Sequence, residues 1–338
     1  MPRNLEPMLA TPAKRLPAGE GWAYELKWDG VRALIHLKQG EQRICARRGA
    51  DATARYPELA GIAAALEGRE AILDGEVVAF DEAGNPSFGR LQRRMGLTDG
   101  GRIRQRLADT PVTYVAFDLL WLDGGSLLAE PYERRRELLS GLGFDGPSWQ
   151  APAHRMGDGD ALLEAVRARG LEGVVAKRRG SSYRPGRRSD DWVKVQNRLR
   201  QEFVIGAWMP GEGGRARSIG SLLVGYWDAT SDEALRLGRP QRLVYAGGVG
   251  TGFTQATLER LAAALRPHER ISSPFEAGWD PEVKYAARIR ERGSLHWVEP
   301  VVVCEVEFLQ FTHEDTVRAA SFKGLRDDKD PREVVREA

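Results

Sequence analysis

In the run Glu25-Leu26-Lys27-Trp28-Asp29-Gly30-Val31-Arg32 one lysine stands between acidic neighbours, with an arginine at the mouth of an apolar stretch. A lysine amine in water is protonated at neutral pH and is a poor nucleophile. A cationic neighbour, a metal ion or partial loss of water would free it to attack, and a nearby carboxylate would do the opposite unless a metal intervened. Against the α-phosphorus of a nucleotide it would form a phosphoramidate, with a divalent metal offsetting charge on the phosphates and on the pyrophosphate that leaves. From this segment alone, a surface lysine before an ordinary Asp-Gly turn stands as the alternative. The pattern Lys-x-Asp-Gly-x-Arg would arise by chance in a chain this long in well under ~1% of cases. What matters is whether the remaining residues supply a phosphate and nucleotide site around it.

Further groups with suitable chemistry follow. Leu73-Asp74-Gly75-Glu76-Val77-Val78 reads as an Asp-Gly turn leading into a strand. The Glu76 carboxylate would accept from a ribose hydroxyl or approach a metal, although a solvated strand-end glutamate is the simpler reading of these residues alone. Phe117, in Ala116-Phe117-Asp118-Leu119-Leu120-Trp121, is a core residue by default, yet its ring is also what a purine needs for stacking. Glu172 and Lys177 end the run Glu172-Gly173-Val174-Val175-Ala176-Lys177 as charged strand caps or as two walls of a site.

Lys177 to Arg188 is a basic loop holding Arg178, Arg179, Arg184, Arg187 and Arg188 with one aromatic, Tyr183. Such a run is commonly a solvated face. Beside a nucleotide site it reads as a clamp on a phosphate backbone, giving salt-sensitive and sequence-independent affinity. Arg90, Arg93 and Arg94 after Phe88 would add to it, and Arg215, Arg217 and Ser218 fit a second loop touching nucleic acid.

Holding these groups in place calls for two domains, the default at 338 residues. Short apolar runs at Arg32 to Leu37, Ala71 to Phe80, Val112 to Leu122, Gly173 to Ala176 and Trp192 to Val195 predict strands, and Tyr56 to Leu66, Tyr132 to Leu142 and Asp160 to Arg169 predict helices. Strands and helices do not alternate strictly, so the first domain, residues 1–197, is expected to be α+β and not a doubly wound parallel sheet. The polar stretch Gln196 to Gln201 reads as a hinge. Beyond it, residues 202–338 are expected as strands at Phe203 to Trp208, Ser221 to Trp227, Leu243 to Ala246 and Val301 to Phe311 with a helix over Gln255 to Leu265, which suits a small OB-type barrel or a sandwich of similar size.

Composition sets outer limits. With 50 basic and 48 acidic residues, any nucleic-acid footprint must be a local patch. Cys45 and Cys304 are far apart and belong to no Cys or His cluster, so neither a disulfide framework nor a zinc site is expected, only buried small side chains. No leader-like or membrane-spanning stretch is read, and a soluble chain in a reducing cytoplasm is expected.

Lys27-Trp28-Asp29-Gly30-Val31-Arg32 resembles the nucleotide-attachment motif of ATP-dependent DNA ligases and of their relatives among mRNA capping enzymes. The segments around Glu76, Phe117 and Glu172 to Lys177 are similar to later ligase motifs, in the family's order. Asp191-Trp192-Val193-Lys194 looks like the fifth motif and Arg318 to Lys329 like the sixth. The resemblance runs from about Pro7 to Lys329. It is to a minimal bacterial form similar to the ligase domains linked with Ku-dependent end joining, with no room for a large N-terminal DNA-binding domain or a fused polymerase or nuclease.

It implies a nucleotidyltransferase (adenylation) domain with antiparallel sheets followed by an OB-fold β-barrel. The family's activity would have Lys27 take AMP from ATP with Mg2+ or Mn2+, pass it to a 5′-phosphate, and seal nicked or broken double-stranded DNA, with Ku as a possible partner of a monomer. By the same resemblance Glu25 reads the adenine amino group, Arg32 and Arg47 contact nucleotide, and Phe117 stacks on adenine. Glu76 and Glu172 serve the metal, Lys177 and Lys194 the phosphates, and Arg318, Arg326 and Lys329 the β- and γ-phosphates. Two departures stand out: Arg48 where many relatives carry asparagine, and Gln196 where many ligases carry a second lysine. An RNA ligase, a GTP-using capping-type enzyme and a non-catalytic nick-binding module share enough of the pattern to stand as alternatives.

Overall fold

Side-chain alternation along strands decides the architecture of the first compact unit, Met1–Asn197. The computed structural model describes residues 1–338 except 3, 213–217, 279, 288, 290–294, 313 and 338. One sheet runs Glu41–Ala46, Val31–Lys38, Ala71–Val78, Thr113–Leu122, Trp149–Gln150, Asp145–Gly146, and the other runs Leu9–Pro12, Arg188–Gln196, Gly173–Arg178, Trp22–Leu26, Arg155–Met156. Both are antiparallel apart from one parallel pairing each, Thr113–Leu122 with Trp149–Gln150 and Leu9–Pro12 with Arg188–Gln196.

In the first sheet Ala33, Ile35, Leu37, Ala71, Leu73 and Val77 turn to one core, packed with Leu59, Ile62 and Leu139. Their neighbours Leu34, Ile72, Phe117 and Leu120 turn to the opposite face and meet Met8, Tyr183 and Trp192. In the second sheet Trp22, Tyr24, Val174, Ala176 and Val195 pack with Leu163 and Val166 of the Gly159–Ala168 helix. The intervening positions of that sheet, Glu25, Val175, Lys177, Trp192 and Lys194, must point the other way. A strand period of two therefore sends polar side chains from both sheets toward one cavity.

Several sequence expectations change. Asp74-Gly75 is not a turn but the middle of the Ala71–Val78 strand, with an irregular pairing between the two residues against Thr113–Leu122. A Cβ on Gly75 would sit 2.5 Å from the Tyr114 ring and from the Val115 carbonyl, so glycine is there for close packing. Tyr56 to Leu66 is not one helix: Thr53–Arg55 and Pro57–Leu59 form 3-10 turns before a short Ile62–Ala65 helix. Pro57 disfavours helical geometry at Tyr56, which adopts φ −129° and ψ 62°. The Gly100–Asp109 helix, capped by Asp99, was not expected from the sequence pattern.

The second unit, Arg198–Ala338, is built on the twelve-residue Leu199–Pro210 strand. That strand pairs with Ile219–Trp227 along one edge and, along the other, with Val303–Phe308 and then His296–Val298. Leu243–Val249 and Ser321–Leu325 extend the sheet, and the Gln255–Leu265 helix packs Leu258, Leu261 and Leu265 onto it. This is the OB-type arrangement, with a hydrogen-bonded path that stays open among the described residues. The expected Val301 to Phe311 strand is two, Val303–Phe308 and Gln310–Phe311. The expected hinge also contracts, because Gln196 ends one strand and Leu199 begins the next. Gln201 is buried in the latter, donating to the Val335 carbonyl (3.2 Å) and accepting from the Glu337 amide (3.1 Å). Cys45 and Cys304 are buried thiols, and no helix among the described residues is long and apolar enough to cross a membrane.

One buried pair anchors the first unit. Arg135, with no solvent exposure, forks onto Asp118 at 2.7 and 2.9 Å and also donates to the Glu130 and Ser181 carbonyls. Asp118→Asn would leave that guanidinium without its counter-charge, at an expected cost of about 3 kcal/mol. Urea unfolding should show a lower midpoint at unchanged slope; an unshifted midpoint would mean the pair contributes nothing.

Candidate active site

Lys27 sits in the short link between the Trp22–Leu26 and Val31–Lys38 strands, its amide donating to the Gly173 carbonyl at 2.9 Å. Two glycines allow this close approach. A Cβ on Gly30 would lie 2.2 Å from the Val77 carbonyl, and one on Gly173 (φ +151°) would lie 2.2 Å from the Val195 carbonyl. Gly173 fixes the backbone next to Glu172, whose Oε1 receives the Lys27 ammonium at 2.5 Å. The Gln196 amide donates to the same oxygen at 3.3 Å. Glu172 Oε2 is buried and accepts no hydrogen bond among the described residues.

Above Lys27 the sheets supply two more charged sets. Arg32 forks onto Asp74 with both contacts at 2.6 Å, and Tyr183 donates to the same carboxylate at 2.6 Å while accepting from the Met8 amide. The Arg32 guanidinium lies 4.5 Å from the Phe117 ring centre. Glu25 is buried and receives Lys177 Nζ at 2.7 Å and the Tyr132 hydroxyl, with Arg136 at 3.9 Å. Burial pushes the Glu25 carboxyl up, but Lys177 and Arg136 outweigh it and hold it below its ordinary value. Lys177 is itself buried among rings, 4.2 Å from Trp192 and 4.5 Å from Phe117.

The cavity, about 190 Å³, is lined by Glu25, Lys27, Arg32 and Arg47, by Glu76 and Phe117, and by Lys177 and Lys194. Burial lowers the Lys194 ammonium, and the nearby cations Lys27 and Arg188 lower it further. Burial raises the Glu76 carboxyl to about 8; Arg32 and Lys27 oppose this, and Glu172 and Asp74 add to it. No group of three or more His, Cys, Asp or Glu that would hold a metal by itself occurs among the described residues. Glu76 and the open oxygen of Glu172 suit a divalent cation that also takes oxygens from a bound phosphate.

Sequence reasoning missed Asp74, Tyr132, Trp192 and Arg136 as walls and supports of this site. Asp74 had a signal, since it lies two residues before Glu76 and so on the same strand face. Tyr132 reaches Glu25 across 107 residues, which no local pattern reveals. Arg188, expected at DNA, instead lines the cavity and donates to the Ala10 carbonyl.

The rest of the basic loop is more neutralised than its composition suggested. Arg178 and Arg184 pair with Asp191 at 3.1 and 3.0 Å, Arg179 pairs with Glu133 at 2.7 Å, and Arg187 is exposed. Tyr183 is a buried anchor and not part of a clamp. Arg94 is also buried, held by Glu58 and by the Thr110 and Arg55 carbonyls, so it is unavailable to DNA. Arg215 and Arg217 lie outside the described residues. Within the second unit Arg326 forks onto Asp328 at 2.9 Å and reaches Glu202 at 2.6 Å, Lys329 lies 3.6 Å from Glu202, and Arg318 stands on the Val317–Arg318 strand.

Comparison with known proteins gives two family matches: the ATP dependent DNA ligase domain over residues 7–196 and the ATP dependent DNA ligase C terminal region over 215–329. The chain is 40% identical over 335 residues to the multifunctional non-homologous end joining protein LigD of Mycolicibacterium smegmatis, covering 99% of this chain and 40% of that protein. To the LigD protein of Pseudomonas aeruginosa it is 39% identical, covering 100% of this chain and 37% of the relative. The chain thus spans well under half the length of these relatives. Among solved structures, the ligase domain of M. tuberculosis LigD aligns with a TM-score of 0.53 at 39% identity, covering 99% of each chain. A mycobacterial DNA ligase D complexed with ATP and MES aligns with a TM-score of 0.54 at 38% identity, again covering 99% of each.

The raised Glu76 carboxyl sets a pH dependence. Folded Glu76 keeps a proton that the unfolded chain gives up near the ordinary value of 4.5, so its contribution to stability is complete below about 4.5 and lost as pH rises through about 8. Melting temperatures of the protein without nucleotide should fall over this window. Glu76→Gln should flatten that fall, and an identical slope in the variant would contradict the assignment.

Proposed function

The chain belongs to the ATP-dependent DNA ligases, and from that premise we propose that it seals 5′-phosphate/3′-hydroxyl breaks in duplex DNA through AMP carried on Lys27, in the service of end joining. The observation that carries this reading is the Lys27 to Glu172 contact inside a cavity walled by cations. Attack needs a neutral amine, and Glu172 Oε1 at 2.5 Å is the acceptor for its proton. The Lys27 nitrogen then forms a bond to the α-phosphorus of ATP as the bond to pyrophosphate breaks. AMP passes to the 5′-phosphate of the break, and the 3′-hydroxyl displaces it.

Each wall has work in that scheme. Glu25, kept ionised by Lys177 and Arg136, is suited to accept from the adenine amino group, and Phe117 to meet the base face. Arg32, Arg47, Lys177 and Lys194 bring positive charge to nucleotide and phosphates. Glu76 and Glu172 would hold a divalent cation, which supplies charge offset on the phosphates when bound. Gln196 holds Glu172 by a neutral hydrogen bond, so positive charge at the α-phosphate falls to Lys194 and Lys177. Arg318, Arg326 and Lys329 are read as contacts to the β- and γ-phosphates, which requires Arg326 to give up Glu202 and Asp328. Of the basic loop, Arg178, Arg179, Arg184 and Arg187 remain candidates for backbone phosphates.

Incubation with α-labelled ATP should leave label on the protein, and Lys27→Ala should lose both the label and nick sealing. Labelling by GTP in preference to ATP would overturn the reading in favour of a capping-type enzyme. The end-joining role draws on relatives more than twice as long as this chain. Ku is accordingly expected to raise sealing of double-strand ends, and an absence of both association and stimulation would remove it as a partner.

A further inference from the structure

The connection between the Ala71–Val78 and Thr113–Leu122 strands carries a second concentration of positive charge, apart from the nucleotide cavity. Between Phe88 and Asp109 it holds Arg90, Arg93, Arg94, Arg102, Arg104 and Arg106 against only Asp99 and Asp109. Its Gly100–Asp109 helix buries Ile103. Arg102, Gln105, Arg106 and Asp109, at helical spacing, face a crevice whose other wall is Arg93 and Leu97. The helix turns Ile103 to its own protein and leaves Arg102, Gln105, Arg106 and Asp109 exposed, a guanidinium-rich stripe. Among the described residues Arg93 and Arg102 have no acidic partner, and Arg106 has only a 3.4 Å exposed contact to Asp109.

The crevice is built and not a chance meeting of side chains. Arg94, buried beneath it, ties its own turn to Glu58 and to the Thr110 and Arg55 carbonyls, and Arg90 donates to the Asp109 carbonyl at 3.0 Å. The two walls are therefore fixed to each other through neighbours of the crevice arginines.

The connection is rooted beside the Lys27 to Gly30 link. Val78 pairs with Thr113 and Val77 with Val31, so the connection leaves the sheet at the end where the Lys27 to Gly30 link enters it. Trp28, next to Lys27, packs edge-on against Phe80 at the root of the connection, with ring centres 6.3 Å apart. Guanidinium forks suit phosphodiester oxygens.

We propose that the crevice of Arg93, Arg102 and Arg106 is a phosphodiester-backbone site that holds duplex DNA. The proposal rests on the ligase reading above. Arg102→Gln/Arg106→Gln keeps good helix formers and alters no residue of the nucleotide cavity. Expected for this variant are label uptake from ATP at the parent rate without DNA and a Kd for nicked duplex raised about tenfold. The slope of log affinity against log salt should shrink by about one per arginine removed. Arg93→Gln, on the other wall, should lower the slope by about one. Nicked-duplex binding with unchanged Kd and slope in both variants, or loss of ATP labelling together with DNA binding, would overturn the site. A parent protein that takes no label and seals no nick would instead overturn the ligase reading, independently of the crevice.

Discussion

Charge buried between two sheets is the constraint on which the first unit turns. Glu25, Asp74 and Lys177 are almost wholly removed from solvent, and Arg32 is largely so. Taking such ions out of water costs several kcal/mol each even after relaxation. Each is therefore matched: Arg32 forks onto Asp74, and Lys177 meets Glu25 while three rings surround its ammonium. Apolar residues at these positions would give a sandwich at least as stable. A polar interior maintained at that cost makes sense where a charged molecule enters and replaces part of the solvation that water supplied.

The same constraint shapes the surroundings of Lys27. Glu172 has two oxygens with different surroundings: Oε1 accepts from Lys27 and Gln196, and Oε2 is buried without a hydrogen-bond partner among the described residues. A lysine in place of Gln196 would bring a second cation to Oε1 and compete with Lys27 for it. The neutral amide orients the carboxylate and leaves its charge to the Lys27 ammonium. The departure from the two-lysine pattern thus has a local logic: one cation fewer stands at Glu172, and the ion pair with Lys27 is undivided.

Legibility from sequence followed the range of the interactions involved. Apolar runs such as Val31–Lys38 and Thr113–Leu122 announce strands because their periodicity is local. The Lys27 segment and the Glu172 to Lys177 run were also readable, since their spacing puts charged groups at defined strand ends. Asp74-Gly75 misled because an Asp-Gly pair ordinarily turns the chain. Here Gly75 instead makes room for the Tyr114 ring, and Asp74 is neutralised by an arginine 42 residues away. Pro57 broke a helix that Leu and Ala spacing suggested. Acids that quiet the basic loop, Asp191 and Glu133, come from separate elements, so the charge of the run was legible and its availability was not.

Arginine is the clearest case of one residue type serving opposite ends. Arg93 and Arg94 are neighbours, yet one is exposed and the other is buried against Glu58 and two carbonyls. Composition counts them alike. A guanidinium with five donors can stitch loops together when the backbone offers carbonyls, and can meet phosphate only when those donors remain free. Arg94 and Arg135 are consumed by the fold, and Arg94 in turn ties the segment from which Arg93 projects to the end of the Gly100–Asp109 helix. The number of arginines in a segment therefore says little about a nucleic-acid surface until the buried and paired ones are subtracted, and among the described residues the subtraction moves free charge from the loop around Tyr183 to the helix at Gly100–Asp109.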